Sequence, residues 1–198
     1  MTEANHQSSN SSVGYRRRDL IGKTDLKFCF FYGHTPAKPG QIDKSYLSQW
    51  RHCHFTENGI AYFSTEQYMM AAKARLFHDE KILEQILAAS HPSTVKKLGR
   101  QVKNFNPAVW EKVKFDIVCE GNRHKFGQNA NLKEFLLDTG SAILVEASPY
   151  DRIWGIGMGV NHPDRIFPER WKGENLLGFT LTKVRDDFLV PPQTAYAE

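Results

Sequence analysis

The spacing of apolar residues along the chain predicts more helix than strand. Apolar positions recur at intervals of three and four residues, which is typical of amphipathic helices. This spacing predicts helices over residues 64–77, 80–89, 93–102, 107–123, 132–137 and 176–190. Runs of aromatic and β-branched residues predict strands at 26–32 and 142–147, and Asn58-Gly59 predicts a hairpin turn within residues 52–63. Because strands do not alternate with helices, we predict an α+β, mainly α-helical domain with a small antiparallel sheet.

Both ends of the chain differ in composition from its middle. Residues 1–24 are dominated by Ser, Asn, Gln and charged residues, and they have little apolar surface to offset the entropy cost of ordering. We therefore predict a disordered tail over 1–24, one domain over 25–190 and a frayed C-terminus over 191–198. The basic run Arg16–Arg18 in the tail is either solvated or contacts an acidic partner.

The helix predicted over residues 64–77 carries charge on a face that also holds apolar side chains. Its start is marked by Ser64 and Gln67, which are spaced as a capping box. One stripe of the helix consists of Glu66, Met70, Lys73 and Phe77. A carboxylate and an amine two turns apart beside Met and Phe are unusual on a solvated face. The stripe therefore indicates a site.

Both charged residues of this stripe have structural as well as functional interpretations. Glu66 in the first helical turn interacts favourably with the helix dipole, which also lowers a carboxylate's pKa. An ionised Glu66 can position water or stabilise developing positive charge. Lys73 either extends its amine out of an apolar patch, clamps a phosphate, or acts as a nucleophile with a lowered pKa.

A glycine-spaced loop after the strand at 142–147 is the second candidate. Asp151 and Trp154 stand immediately before Gly155, Gly157 and Gly159, and repeated glycine lets a backbone approach a ligand closely. Asp is also common in turns for local hydrogen bonding, and Trp is often buried in a core. The spacing is not that of a dinucleotide fingerprint, and the chain has no Walker loop and no HExxH motif. We therefore predict neither a metal nor a cofactor.

The net charge indicates which kinds of partner the protein can bind, and the cysteines indicate the compartment in which it works. The formal net charge of +4 divides into +2 in residues 1–24 and +2 in the remainder. A domain this close to neutrality does not favour broad phosphate-backbone binding, although a local basic pocket remains compatible with it. The three widely spaced cysteines predict free thiols and a cytoplasmic location. Since no apolar run reaches the roughly 18 residues of a membrane span, we expect no membrane partner.

A set of motifs runs in order through residues 27–187. It consists of Phe30–His34, Leu47–Trp50, Ser64–Phe77, Lys125-Phe126, Leu144–Gly157, Trp171–Gly178 and Val184-Arg185. Together these motifs resemble the YbiA-like family, also called the NADAR superfamily. The resemblance covers most of the chain and leaves the polar tail outside.

This resemblance implies an N-glycosidase that cleaves the bond between ribose C1 and an exocyclic amine. It implies one of two substrates: a phosphoribosylamino-pyrimidine intermediate of riboflavin synthesis, or guanine carrying ADP-ribose as a nucleotide or within nucleic acid. By similarity Glu66, Lys73 and Asp151 are catalytic, with Lys73 either binding substrate or forming a transient Schiff base. The substrate-binding residues implied are Trp50, Arg51, Met70, Lys125, Phe126, Trp154, Gly155, Gly157 and Asn175.

Two alternatives from other classes of protein stay open at the level of sequence. A non-catalytic module that recognises ADP-ribose or a related nucleotide would gain thermal stability from its ligand and release no product. A nucleic-acid-binding protein acting through Arg16–Arg18 would lose affinity on deletion of the tail and with rising salt.

Overall fold

A computed structural model describes residues 14–190, within which the chain forms six α-helices and four short strands. The helices are α1 (Thr65–Leu76), α2 (Glu80–Ala88), α3 (Pro92–Gly99), α4 (Pro107–Gly127), α5 (Ala130–Leu137) and α6 (Leu176–Leu189). The strands are β1 (Phe28–Phe31), β2 (Phe55–Glu57), β3 (Ile60–Tyr62) and β4 (Ile143–Glu146). These elements confirm the predicted α+β, mainly helical class. Residues 1–13 and the C-terminus predicted to fray, 191–198, lie outside the described residues.

The strands form two separate pairs. β2 and β3 are antiparallel, and they turn through Asn58 and Gly59, which both have positive φ, as the Asn-Gly pair predicts. β1 and β4 are parallel, with Phe28 opposite Ile143 and Phe31 opposite Glu146. This parallel pair is an addition to the antiparallel sheet that the sequence predicted. Helices α1–α5 all lie between its strands in the chain, so no local signal marks the pairing.

Helix α1 lies at the centre of the molecule. It packs against α2, α3 and α4. Met69 belongs to a buried cluster shared with α4 and α6, whereas Ala71 and Ala74 belong to a second cluster shared with α2 and α3. Burial on several sides explains why its polar residues cannot all be solvated. Within residues 14–190 every helix is too short or too polar to cross a bilayer.

Two neighbouring segments fix the start of α1. The Ser64 hydroxyl accepts a hydrogen bond from the Gln67 amide at 3.2 Å, which confirms the predicted cap. The Gln67 side chain does not close a reciprocal box; it accepts from the Phe63 amide and donates to carbonyls at the end of α2. The Glu66 amide donates to the Gln49 carbonyl at 3.0 Å, which seats residues 48–50 on the first turn.

The prediction of a disordered tail is wrong for residues 14–24. Leu20 is buried in a cluster with Trp171 and residues of β4. Arg17 donates to the carbonyls of Pro168 and Glu169, each at 2.8 Å, and the Tyr15 hydroxyl donates to Asp186. One buried leucine among polar neighbours is too weak a sequence signal, because its partners lie far along the chain.

Candidate active site

A cavity of about 970 Å³ opens beside the first turn of α1, the end of α3 and the segment that follows β4. Six of the predicted site residues line it, namely Trp50, Glu66, Met70, Lys73, Asp151 and Trp154. The acid and the amine of the α1 stripe therefore share one hollow with the loop at 151–154. Glu66 and Asp151 lie more than eighty positions apart in sequence and meet here because the first turn of α1 and the segment after β4 line the same cavity.

Glu66 is buried in the wall of this cavity, at 4% exposure. Burial raises the pKa of its carboxyl to about 7, while the charge of Lys96 and the neighbouring Trp50 side chain act to lower it. The expectation that the helix dipole lowers this pKa is wrong in direction, because the loss of water outweighs the dipole. Near neutral pH the group can therefore both hold and release a proton.

Glu146 is a second acid in the cavity, and sequence analysis did not select it. It is the last residue of β4 and lines the same wall as Asp151. Burial, followed by the charges of Asp151 and Glu66, raises the pKa of its carboxyl to about 8. Its Oε2 atom is buried and has no hydrogen-bond partner among residues 14–190. A hydrophobic strand ending in an acid was the signal available in the sequence.

Asp151 is fixed by its own turn. One of its carboxylate oxygens accepts hydrogen bonds from the amides of Ile153 and Trp154, at 2.9 and 2.8 Å. Its own amide donates to the Ser148 hydroxyl at 3.2 Å. The structural interpretation of this residue as a turn former therefore holds together with its place in the cavity. Its charge acts on both Glu66 and Glu146.

Lys73 reaches the far side of the cavity. Its Nζ donates to the carbonyl of Gly99 at 2.7 Å and lies 4.0 Å from the centroid of the Phe105 ring. Burial lowers the pKa of this amine. The amine is thus already engaged with the end of α3. This contact is typical of a lysine that holds a neighbouring segment in place, here the end of α3.

Further cationic and aromatic side chains that the sequence did not single out surround the opening. The cations are Lys96, Arg100 and Arg152, and Lys96 lies over the ring of Trp50 at 5.5 Å. Tyr32, Tyr150 and Ile153 are strongly exposed although large and apolar, with Tyr150 at 88%. The rings of Tyr32 and Tyr150 can stack on a base. They come from segments far apart in the chain, so only the fold brings them together.

Three predicted substrate-binding residues lie outside the cavity lining and instead support the loop that carries Trp50. Lys125 is fully buried, and its Nζ donates to the carbonyls of Tyr46 at 2.5 Å and Ser48 at 3.1 Å. Burial lowers the pKa of Lys125 to about 8. Phe126 is in the core, and Arg51 donates to the Tyr46 hydroxyl. The structure gives both Arg51 and Lys125 a protein partner outside the cavity lining, and phosphate binding by either one stays a prediction.

The other three are Gly155, Gly157 and Asn175; Gly155 and Asn175 contact the end of β4, and Gly157 lies in the loop that follows it. Asn175 is fully buried; its Oδ1 accepts from the Glu146 amide at 2.9 Å and its Nδ2 donates to the Leu144 carbonyl at 3.0 Å. A Cβ at Gly155 would lie 2.9 Å from the Glu146 carbonyl, and Gly157 has a φ of +66°. The structure shows a supporting role for Asn175 and Gly155, and the predicted contact of these residues with substrate stays a prediction.

Comparisons with known proteins cover this whole region. Residues 30–189 match the family model described as NADAR domain. The chain is 47% identical over 166 residues to "N-glycosidase R617" of Acanthamoeba polyphaga mimivirus, a match that covers 81% of this chain and 96% of that protein. It is 32% identical over 133 residues to "N-glycosidase YbiA" of Escherichia coli strain K12, covering 67% and 74% respectively. The NMR structure of the E. coli protein YbiA is similar with a TM-score of 0.67 at 27% identity, covering 89% of this chain and 93% of that one.

Proposed function

This chain belongs to the NADAR domain family and is an N-glycosidase, and from that premise we propose that it releases a ribosyl group from the exocyclic amine of a base. The observation that carries the proposal is the meeting of three acids, Glu66, Glu146 and Asp151, in one cavity. Breaking a bond at ribose C1 builds positive charge on the sugar, which carboxylates stabilise. In this proposal Glu66 takes a proton from the attacking water.

The preferred substrate is guanine carrying ADP-ribose, as a nucleotide or within nucleic acid. Three cations at the opening, Lys96, Arg100 and Arg152, suit a group with two phosphates. The exposed Tyr150 adds a ring on which a second base can stack. A phosphoribosylamino-pyrimidine intermediate of riboflavin synthesis, with one phosphate and one base, is the second candidate. It would use fewer of these contacts.

The basic run and the cysteines bear on the predicted partners and location of the chain. Arg17 already donates to two backbone carbonyls of the domain, so the basic run Arg16–Arg18 is not wholly free for an acidic partner or a nucleic-acid backbone. The cysteines at 29, 53 and 119 are free thiols, as predicted. A cytoplasmic location stays a prediction that rests on those thiols.

Turnover of both candidate substrates, offered side by side, tests the proposal. Release of free sugar is followed by mass spectrometry for the unmodified protein and for Glu66→Gln, which keeps the shape of the side chain but cannot accept a proton. We expect faster turnover of the ADP-ribosylated base and a loss of at least about 100-fold in Glu66→Gln.

The matched control is Glu84→Gln, which changes an exposed glutamate on α2. We expect it to keep wild-type turnover. Undiminished turnover in a folded Glu66→Gln variant would remove Glu66 from the mechanism, and no release of sugar from either substrate would refute the proposed function.

A further inference from the structure

Glu146 is a half-buried acid that lines the cavity, with its Oε2 atom buried and its backbone fixed. Its amide donates to the Asn175 side chain, and its carbonyl accepts from the Ile156 amide at 2.9 Å. The strand ends here, so the side chain is held at the point where β4 meets the loop of Asp151. Its position is therefore set by the core of the domain.

The carboxyl of Glu146 has few groups that would favour its ionised form. Asp151 on the following loop and Glu66 on α1 bring negative charge, and Lys96 on α3 is the cation that acts on it. The other charged or titratable residues that line the cavity are Lys73, Arg100, Arg152, His34, Tyr32 and Tyr150. Within residues 14–190 no donor satisfies its buried Oε2. Burying a carboxylate without a hydrogen bond is costly, so the neutral acid with its O–H is the favoured form.

We propose that Glu146 is the general acid of this enzyme and gives its proton to the departing amine nitrogen. The inference rests on the proposed function. As the C1–N bond breaks, its electron pair goes to nitrogen, which takes the proton from Glu146. Water adds its oxygen to C1 and loses a proton to Glu66, and exchange with solvent then returns both carboxyls to their starting states.

The three acids of the cavity divide naturally into different roles. Asp151 accepts two backbone N–H groups, an arrangement that suits a charged acceptor. Glu66 has Lys96 and Trp50 as neighbours that favour its ionised form, and its pKa of about 7 lies below the value of about 8 for Glu146. Of Glu66 and Glu146, the proton is therefore held more firmly by Glu146. Acid and base roles follow such a separation.

The pH dependence of turnover tests this assignment. The reaction needs Glu146 protonated, so kcat of the unmodified protein should fall as pH rises through about 8. It also needs Glu66 ionised, so kcat should fall as pH drops through about 7. Glu146→Gln keeps the size of the side chain but has no proton to give. We expect it to lose at least about 100-fold in kcat and to lose the alkaline fall, while the acidic fall stays.

Controls separate this inference from the function on which it rests. Glu84→Gln should keep both the acidic and the alkaline fall of kcat, which are the two limbs of the pH profile. An active wild type whose alkaline limb persists unchanged in Glu146→Gln overturns the role of Glu146 and leaves the proposed function intact. A wild type that is inactive on both substrates at every pH overturns both.

A second variant covers the case in which Glu146→Gln does not fold. Glu146→Asp keeps an acid but moves it back from the cavity, so the alkaline limb should shift and kcat should drop. A limb that stays at the wild-type pH in Glu146→Asp also overturns the assignment.

Discussion

Position 66 shows how far burial outweighs a helix dipole at the level of one residue. A first-turn acid gains roughly 0.3–1 kcal/mol from the dipole. The rise of its pKa from 4.5 to about 7 corresponds to about 3 kcal/mol in the opposite direction. The sequence identifies Glu66 as a first-turn acid but does not show that residues 48–50 cover it. Its place in the site was predictable, whereas its charge state was not.

Lys73 is a second residue whose role depends on a contact that the sequence does not contain. Its Nζ donates to the Gly99 carbonyl and lies over the Phe105 ring, which leaves the amine occupied. We therefore expect a positioning role and no Schiff base. Reduction with cyanoborohydride during turnover should leave the mass of the protein unchanged. An added sugar mass on a peptide containing Lys73 would contradict this.

Two substitutions complete the test at Lys73. Lys73→Arg keeps the positive charge and a donor for the Gly99 carbonyl but cannot form an imine, so it should keep most of its turnover. Lys73→Met loses the donor and should lower kcat/KM by about tenfold, or about 1.4 kcal/mol. Equal inactivity of both variants would favour the covalent role.

At the scale of elements, the junction between β4 and α6 depends on one side chain. Asn175 occupies the N-cap position of α6, but its side chain makes no cap hydrogen bond and instead joins the Glu146 amide to the Leu144 carbonyl. Its φ of +57° also suits Asn better than most residues. We expect Asn175→Ala to lower the free energy of unfolding by about 2–4 kcal/mol, since two buried groups lose their partner.

Urea denaturation measures this effect, and two variants isolate its cause. Asn175→Gly removes the side chain but tolerates the positive φ, so the difference between Gly and Ala reports backbone strain. Asn131→Ala, which changes an exposed asparagine on α5, should stay within about 0.5 kcal/mol of the wild type. A loss below about 0.5 kcal/mol in Asn175→Ala would contradict the role of this junction.

Elements with local signals were predicted, and contacts between distant elements were not. Ser64 caps α1 and Asn106 caps α4 directly ahead of Pro107, so both helix starts are visible in the sequence. The parallel pairing of β1 with β4 has no such signal, because the body of the domain separates the two strands. Glu146 became part of the site only through that pairing.

At the scale of the whole molecule, the cavity is assembled from six distant parts of the chain. Residues 32–35, 48–50, 66–73, 96–100 and 146–154 all contribute to its wall, together with Leu177 of α6. Residues with unusual local patterns, such as Glu66 and Asp151, were found from the sequence. Lys125 and Asn175 have equally polar side chains, but these donate hydrogen bonds to backbone carbonyls inside the protein. Sequence patterns alone do not separate these two uses of a polar side chain.

The N-terminal segment offers a test of where the domain begins. Leu20 is 1% exposed and packs with Ile143, Val145 and Trp171, whereas its neighbour Ile21 is 53% exposed. We expect Leu20→Ala to lower the free energy of unfolding by about 2–4 kcal/mol through the cavity that it leaves. Ile21→Ala shortens a similar side chain that is exposed to solvent. It should change the free energy of unfolding by less than about 0.5 kcal/mol. Equal effects of both variants in urea denaturation would show that residues 14–24 do not contribute to the folded domain. The expected difference would show that they belong to it and pack against β4.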